Sequence, residues 1–353
     1  FLIFSEISSS PSYESELFPC INILGNVDQA QIKKVHENVG KKTFFSIQLD
    51  VLNDSSPVLS ILSMPSLFTM AVGLNDGRMV LYDLVELQAF HLAYPPNDRA
   101  PLTHMSFLEP TDDPRCAVYI WAFHSSPVGA IAVMHSLMFA SRINKFYEDF
   151  KSCSVRLTMP MHVKDTFPIC CRSITRVLTQ DDEDVLTLNI LAWTAPATKR
   201  TNLMIFDLNQ WYKEEMPSVG DWRLKLKYVA VFELENCVAL DAVVSDHSVF
   251  PFNSILRPEE HFYPNSLSFD VSLLENDKFS HYRWFGVQNI ALQQFNLIGP
   301  QIIIEPSYYF GELLQVAIVP QFSDVTYSIA TPLVSLNKKI SSKKLKIVKI
   351  AEP

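Results

Sequence analysis

Two acidic clusters are the first residues in this chain that could do chemistry: Asp112–Asp113, and the run Asp181, Asp182, Glu183, Asp184. Paired carboxylates serve as acid and base in glycoside hydrolysis. Both clusters, however, sit in polar, loop-like segments, where solvated charge is the ordinary reading. Neither alternates acids around a glycine turn, as a calcium loop requires. The histidines, among them His91, His104, His124 and His135, show no H-x-H or H-E-x-x-H metal spacing. His124, three residues after Trp121, reads as the end of a strand. No Ser/His/Asp set stands out, so no catalytic residue and no metal ligand is assigned.

Cysteine and glycine exclude further chemistry. Cys20, Cys116, Cys153, Cys170, Cys171 and Cys237 lack C-x-x-C spacing, and the adjacent Cys170 and Cys171 could pair only through a strained ring. Buried free thiols in a reducing compartment are expected. Nine glycines in 353 residues is about a third of the roughly 7% average. G-x-G-x-x-G, G-x-x-x-x-G-K and G-x-S-x-G are all missing, so phosphate-cradling loops and nucleophile elbows lack their raw material. No cofactor and no small-molecule substrate are expected, and the chain is read as non-catalytic.

The net charge of -9 offers no global attraction for nucleic acid. The one concentrated basic run is residues 337–350, with six lysines. It could touch nucleic acid, an anionic membrane or an import receptor, but it reads first as a solvated tail. Charged residues are only 19% of the chain, against about 25% in soluble domains, so much of the surface must be buried or meet partners.

The elements that would position any site are short and β-rich. Apolar runs at 43–49, 58–64, 69–74, 78–84, 103–109, 117–123, 184–193, 202–208, 227–234, 238–244 and 282–292 are separated by polar or proline-containing turns. Many short strands at regular spacing mean a sandwich, a barrel or a propeller. Pro57 and Pro101 open similar units 44 residues apart, close to the roughly 40–45-residue period of a propeller blade. Asp76-Gly77 supplies the positive φ of a tight hairpin. Tyr82-Asp83 and Phe206-Asp207 end strands much as Trp-Asp does in WD repeats. The strands are nearly continuous in apolar residues, which fits blades covered on both faces. The expected class is all-β, a WD-repeat-like β-propeller, with a two-sheet sandwich as the competing fold. Short helices are expected at 27–39, 141–152 and 209–216. The uncharged stretch 127–140 is too short to span a bilayer at roughly 20 residues, and reads as a buried strand or strand pair. The opening "FLIF" lacks the features of a secretory signal, and Phe1 is no initiator, so a piece of a longer protein is expected.

The segment "LMIFDLNQWYKEEMP" (203–217) places aromatics just past a strand. Asp207 or Asn209 can cap a helical turn, which would fold Trp211 and Tyr212 as a lid over the end of the blade. The rival reading is an exposed anchor for a partner, since Trp and Tyr dominate interface hot spots. Trp211, Tyr212 and Met216 are therefore the binding candidates.

Four stretches, "LFTMAVGLNDGRMVLYDL" (67–84), "VYIWAFHSS" (118–126) after "FLEPTDDPRC" (107–116), the segment 203–217, and "RPEEHFYPNSLSFD" (257–270), resemble in order and spacing the N-terminal β-propeller family of ELYS, the chromatin-linked nucleoporin. The resemblance runs across roughly residues 45–320. It implies a propeller of seven blades in the whole protein, of which this chain would cover four to five, spanning residues 1–330. Residues 12–40 would be an insertion between blades, and 331–353 a basic, poorly ordered tail. An arc of blades with its ring unclosed would leave sheet faces bare and limit solubility. The implied function is a scaffold module at the nuclear envelope, docking to other nucleoporins of the Y-shaped outer-ring complex while pores assemble. Chromatin would be contacted through parts of the protein outside this chain. A propeller adaptor of another complex, such as a vesicle coat, would share the fold and differ in partner. A hydrolytic propeller would need acids from several blades around a central pocket.

Overall fold

The computed structural model describes residues 2–5, 32–39, 42–47, 56–85, 88–95, 100–110, 115–125, 129–143, 146–161, 165–178, 185–215, 228–252, 264–300, 304–316, 318 and 348–349. The acidic clusters at 112–113 and 181–184, Met216, and most of the lysine run lie outside them. The chain divides into two compact units.

The first unit holds three antiparallel sheets. Strands β1 (Leu2–Ser5), β2 (Ile32–Val39) and β3 (Lys42–Ile47) form a three-stranded sheet in the order β1-β3-β2. Strands β4 (Val58–Met64), β5 (Thr69–Leu74), β6 (Met79–Asp83) and β7 (Gln88–Ala93) follow as a sequential meander. A second meander consists of β8 (Leu102–Leu108), β9 (Ala117–His124), β10 (Ile131–Ile143) and β11 (Phe146–Pro160). Pro57 and Pro101 each stand immediately before the first strand of a meander, so the 44-residue spacing is the blade repeat. The two meanders share one core. Met64, Ala71, Met79 and Leu81 of one pack with Leu102, Val118, Ile120, Leu137 and Phe139 of the other. Met70, Val72, Val80 and Tyr82 fill the opposite face of the β4–β7 sheet. The central strands β5, β6 and β9 are buried on both faces, which is why their sequences do not alternate.

The Asp76-Gly77 turn forms as its residue types require. Gly77 has φ +85°, and a Cβ there would meet the Ala100 carbonyl oxygen at 2.3 Å, so the turn excludes every side chain. The Asp76 carboxylate accepts from the Arg78 backbone N–H (3.1 Å) and the Arg78 Nε (2.6 Å). That pairing holds its pKa below the usual value against the opposing effect of burial.

The second unit holds two four-stranded sheets: β12 (Phe167–Val177), β13 (Val185–Ala195), β14 (Arg200–Asp207) and β15 (Val229–Glu235), then β16 (Ala239–Val244), β17 (Phe269–Glu275), β18 (Phe279–Trp284) and β19 (Val348–Lys349). One core joins them, built from Ile174, Leu188, Ile190, Leu203, Ile205 and Phe232 of the first sheet and Ala242, Val244, Phe269, Val271, Leu273 and Trp284 of the second. Phe232 and Trp284 meet with ring centroids 4.9 Å apart. Among the described residues three α-helices accompany the sheets: α1 (Leu208–Glu215), α2 (Val287–Ile298) and α3 (Pro306–Gln315).

Three sequence expectations fail. Residues 141–152 are not a helix but the end of β10 and the start of β11. Phe146 and Tyr147 stand four and three residues before Phe150, a helical spacing that crosses Asp149, which adopts φ +56° within the strand. That left-handed residue resets the alternation, so Tyr147 and Phe150, three apart, both reach Phe139 (5.4 and 5.8 Å). Within 27–39, residues 32–39 are strand β2, whose pairing with β3 is broken by two register shifts that erase a readable period. The expected strand 282–292 is the end of β18 followed by the start of α2, with Gly286 at φ +75° between them. The helix expected at 209–216 is present as α1.

Candidate interaction surface

Helix α1 begins where β14 ends, because Asp207 caps it. The Asp207 Oδ1 accepts the Gln210 backbone N–H at 3.0 Å, three residues on. The Asn209 Nδ2 donates to the Val185 carbonyl at 2.6 Å, tying the helix to the start of β13. This places Trp211 inward: it is 5% exposed, with its ring centroid 6.2 Å from that of Phe206. Tyr212 is half-buried at the margin of the helix. The earlier WD-like ending works similarly: the Asp83 Oδ1 accepts the Val85 N–H at 2.6 Å and turns the chain after β6.

Three of the histidines, His91, His124 and His135, lie within electrostatic reach, the first two acting on the third. His124 ends β9, buried, with Nδ1 3.0 Å from the Ala100 carbonyl oxygen. His135 is buried in β10, and its Nδ1 faces the Cys153 Sγ of β11 at 3.9 Å. Burial pushes the His135 pKa down to about 4, helped by the proximity of His124 and His91. Desolvation also lowers His91 and, against the hydrogen bond to Ala100, His124. Burial raises the Cys153 and Cys170 thiols to about 11, so both are protonated and poor nucleophiles near neutrality. Cys116, Cys153, Cys170 and Cys237 carry free thiols. No group of three or more His, Cys, Asp or Glu among the described residues is arranged to hold a metal.

A hydroxyl–imidazole pair that sequence spacing did not reveal lies on the outer face of β17 and β18. The Ser272 Oγ and His281 Nδ1 are 2.8 Å apart and exposed. One row along, the Asp270 carboxylate is held bidentately by Arg283 at 2.6 and 2.7 Å, which keeps its pKa low. Facing strand residues share a side of a sheet, and Ser272 pairs with His281 in register, so only the fold could reveal the contact. Asp270 is committed to Arg283, and the imidazole stacks edge-on against Phe279 at 4.6 Å. This arrangement is a polar stripe on a sheet surface. Beside it Val243, Leu274 and Phe279 are exposed. The strands of this sheet therefore alternate buried and exposed residues, unlike β9 or β13.

Comparison with known proteins agrees with this architecture. The family described as the beta-propeller of ELYS nucleoporin matches residues 20–281. Protein ELYS of Homo sapiens is 25% identical over 302 residues, covering 72% of this chain and 13% of that protein. Protein ELYS of Xenopus laevis is likewise 25% identical over 302 residues, covering 73% of this chain and 12% of that protein. The chain thus spans about an eighth of the length of these relatives. Among the described residues, no helix is long and apolar enough to cross a membrane.

Proposed function

Because the chain belongs to the family of the ELYS nucleoporin β-propeller, we propose that it is a non-catalytic docking module of a nucleoporin, acting at the nuclear envelope during pore assembly. The observation that carries the reading is the family match laid over meanders whose central strands are sealed on both faces. Such sheets form a stiff frame, and their connecting loops present the contacts. The partners proposed are other nucleoporins, those of the Y-shaped outer-ring complex, with chromatin reached through regions outside this chain. Residues 1–330 serve as the propeller portion, with 12–40 inserted and 331–353 as a basic tail.

Of Trp211, Tyr212 and Met216, Tyr212 and Met216 are proposed as partner contacts, while Trp211 packs against Phe206 as the lid of the blade. Binding of the purified outer-ring complex to the full-length protein tests the reading, alongside recruitment of a fluorescent fusion to the nuclear rim. Saturable binding and a rim signal are expected, and absence of both overturns the proposal. Trp211→Ala is expected to lower stability and Tyr212→Ala to lower affinity. Unchanged affinity in Tyr212→Ala removes that residue from the interface.

A further inference from the structure

One side of strand β18 (Phe279–Trp284) is paired along its whole length with β17, from Phe269↔Trp284 to Leu274↔Phe279. Alternate N–H and C=O groups of such a strand point the other way, toward the edge of the sheet, and are open to a further strand. There β19 takes part of the row: Val348 pairs with Arg283 and Lys349 with Tyr282, antiparallel. Among the described residues nothing pairs with Phe279, Ser280 or His281 on that side.

Proteins guard open edges with lysine, proline or a bulge. The edge strand β11 does so, with Lys151, Arg156, a final Pro160 and the left-handed Asp149. Strand β18 reads FSHYRW, with no lysine and no proline, and meets β17 without a register shift. Its one full charge, Arg283, is committed to the two carboxylate oxygens of Asp270 at 2.6 and 2.7 Å. This edge is straight and unguarded.

Register also gathers apolar side chains beside it. On the outward face Leu274 stands opposite Phe279, and Val243 stands opposite Ser272, which pairs with His281. Phe279 is 51% exposed, and Leu274 and Val243 are exposed as well. A strand added outside β18 would lay one of its own side chains against Phe279 and lengthen this row.

Two strands of this chain fit the position poorly. Extending the register of β19 residue by residue sets Glu352 opposite Phe279, an acid against an exposed ring. A second copy of β18, pairing antiparallel about His281 or Tyr282, sets His281 against its own copy or against Arg283. Like groups opposed in this way weaken a sheet.

We propose that the edge of β18 accepts an extended segment of a partner protein by strand addition. The segment pairs antiparallel along Phe279–Trp284 in place of β19 and sets an aromatic or β-branched side chain opposite Phe279. Backbone hydrogen bonds supply the affinity, and the row of Phe279 and Leu274 supplies the selectivity. The site uses neither Tyr212 nor Met216, and its test needs no outer-ring protein, so its failure leaves the docking reading standing.

The test titrates labelled peptides against the full-length protein. The probes are residues 344–353 of this chain, the same peptide with Glu352→Ile, and two N-methylated forms of the latter that block alternate backbone nitrogens. Val348→Pro in the protein clears β19 from the edge, since proline has no N–H to donate. The Glu352→Ile peptide is expected to bind this variant about threefold to fivefold more tightly than its parent peptide does, and to bind wild type more weakly because β19 competes. One N-methylated form should lose about tenfold. Phe279→Ser, paired with Val348→Pro, should abolish the preference for isoleucine and keep the sensitivity to N-methylation. Both substitutions lie at a sheet edge, so melting temperatures should match wild type; if Val348→Pro melts early, deletion of residues 348–353 replaces it. No binding to the cleared edge, or equal binding by both N-methylated forms, overturns strand addition. A preference for isoleucine that survives Phe279→Ser overturns the selectivity row. A wild-type dimer in sedimentation that the peptide dissolves gives the edge to a second copy and overturns the choice of a partner protein.

Discussion

Acid should destabilise this fold through His135, and the size of the effect follows from its surroundings. The side chain is 4% exposed, faces the Cys153 thiol, and lies near His124 and His91. No carboxylate contributes to its shift, and the neighbouring imidazoles oppose a second charge. Burial, with those imidazoles, holds its pKa at about 4 in the folded chain, against 6.5 for an unperturbed histidine. The sign is therefore definite. Between those two values the unfolded chain binds a proton that the folded chain refuses, so stability is complete above pH 6.5 and falls as pH drops toward 4. The gap from 6.5 to about 4, at roughly 1.4 kcal/mol per tenfold change, comes to about 3.5 kcal/mol in full, of which about 3 is expressed by pH 4. His91 and His124 act in the same direction. Urea unfolding of wild type and His135→Leu at a series of pH values isolates the term, since carboxylates titrate alike in both. The gap between the two stability curves should close or invert by about 3 kcal/mol between neutral pH and pH 4. Parallel curves would refute the reasoning, because they would mean that this imidazole titrates in the folded chain as it does in water.

Three further outcomes are expected. Arg176 donates to the carbonyls of Asp246 (3.1 Å), His247 (2.9 Å) and Val249, and stacks over Phe250 at 4.0 Å; Arg176→Ala should cost about 1–2 kcal/mol in urea unfolding, with faster hydrogen exchange over residues 246–250. At Gly286 a Cβ would meet the Ser266 carbonyl oxygen at 2.5 Å with φ at +75°, so Gly286→Ala should lower the melting temperature and cost at least about 2 kcal/mol. Asp207→Ala removes the cap of α1 and should cost about 1 kcal/mol, read as loss of stability with the Trp211 emission shifted toward that of exposed tryptophan.

Strands buried on both faces were the most readable elements, because an unbroken apolar run carries their whole signal. Ala117–His124 is the clearest: every residue is buried, and the run stops where His124 meets a backbone carbonyl. Periodicity misled where the backbone departs from regularity. Asp149 turns a two-residue alternation into spacings of three and four, which is the arithmetic of a helix, so Phe146–Phe150 imitates one. A strand and a helix joined at Gly286 likewise look like one run, since both junction partners bury apolar residues and the change of period takes only a few positions. The histidine cluster and the Ser272–His281 pair were invisible for another reason. Cross-strand neighbours are set by register, and register depends on turns and bulges rather than on any local residue type.

The contact surface was harder to read than the fold because exposure belongs to the assembled chain, not to the residue. Trp211 was singled out for its residue type, yet Asp207 and Asn209 turn its helix inward and bring it beside Phe206. Leu297 stands in the apolar stretch "NLIGPQIIIEP", where residue type alone gives no sign of exposure, and is 87% exposed. The difference lies in what surrounds each side chain. Capping and a backbone tether pull Trp211 against a strand, whereas the Gln288 and Phe295–Tyr309 contacts fasten other positions of α2 and α3 and leave Leu297 in water. If this reasoning holds, Trp211→Phe should be penalised in stability and Leu297→Glu tolerated, in paired urea-unfolding measurements on one preparation. The same response from both substitutions would mean that burial in this fold does not separate the residues that hold it together from those that stand in water.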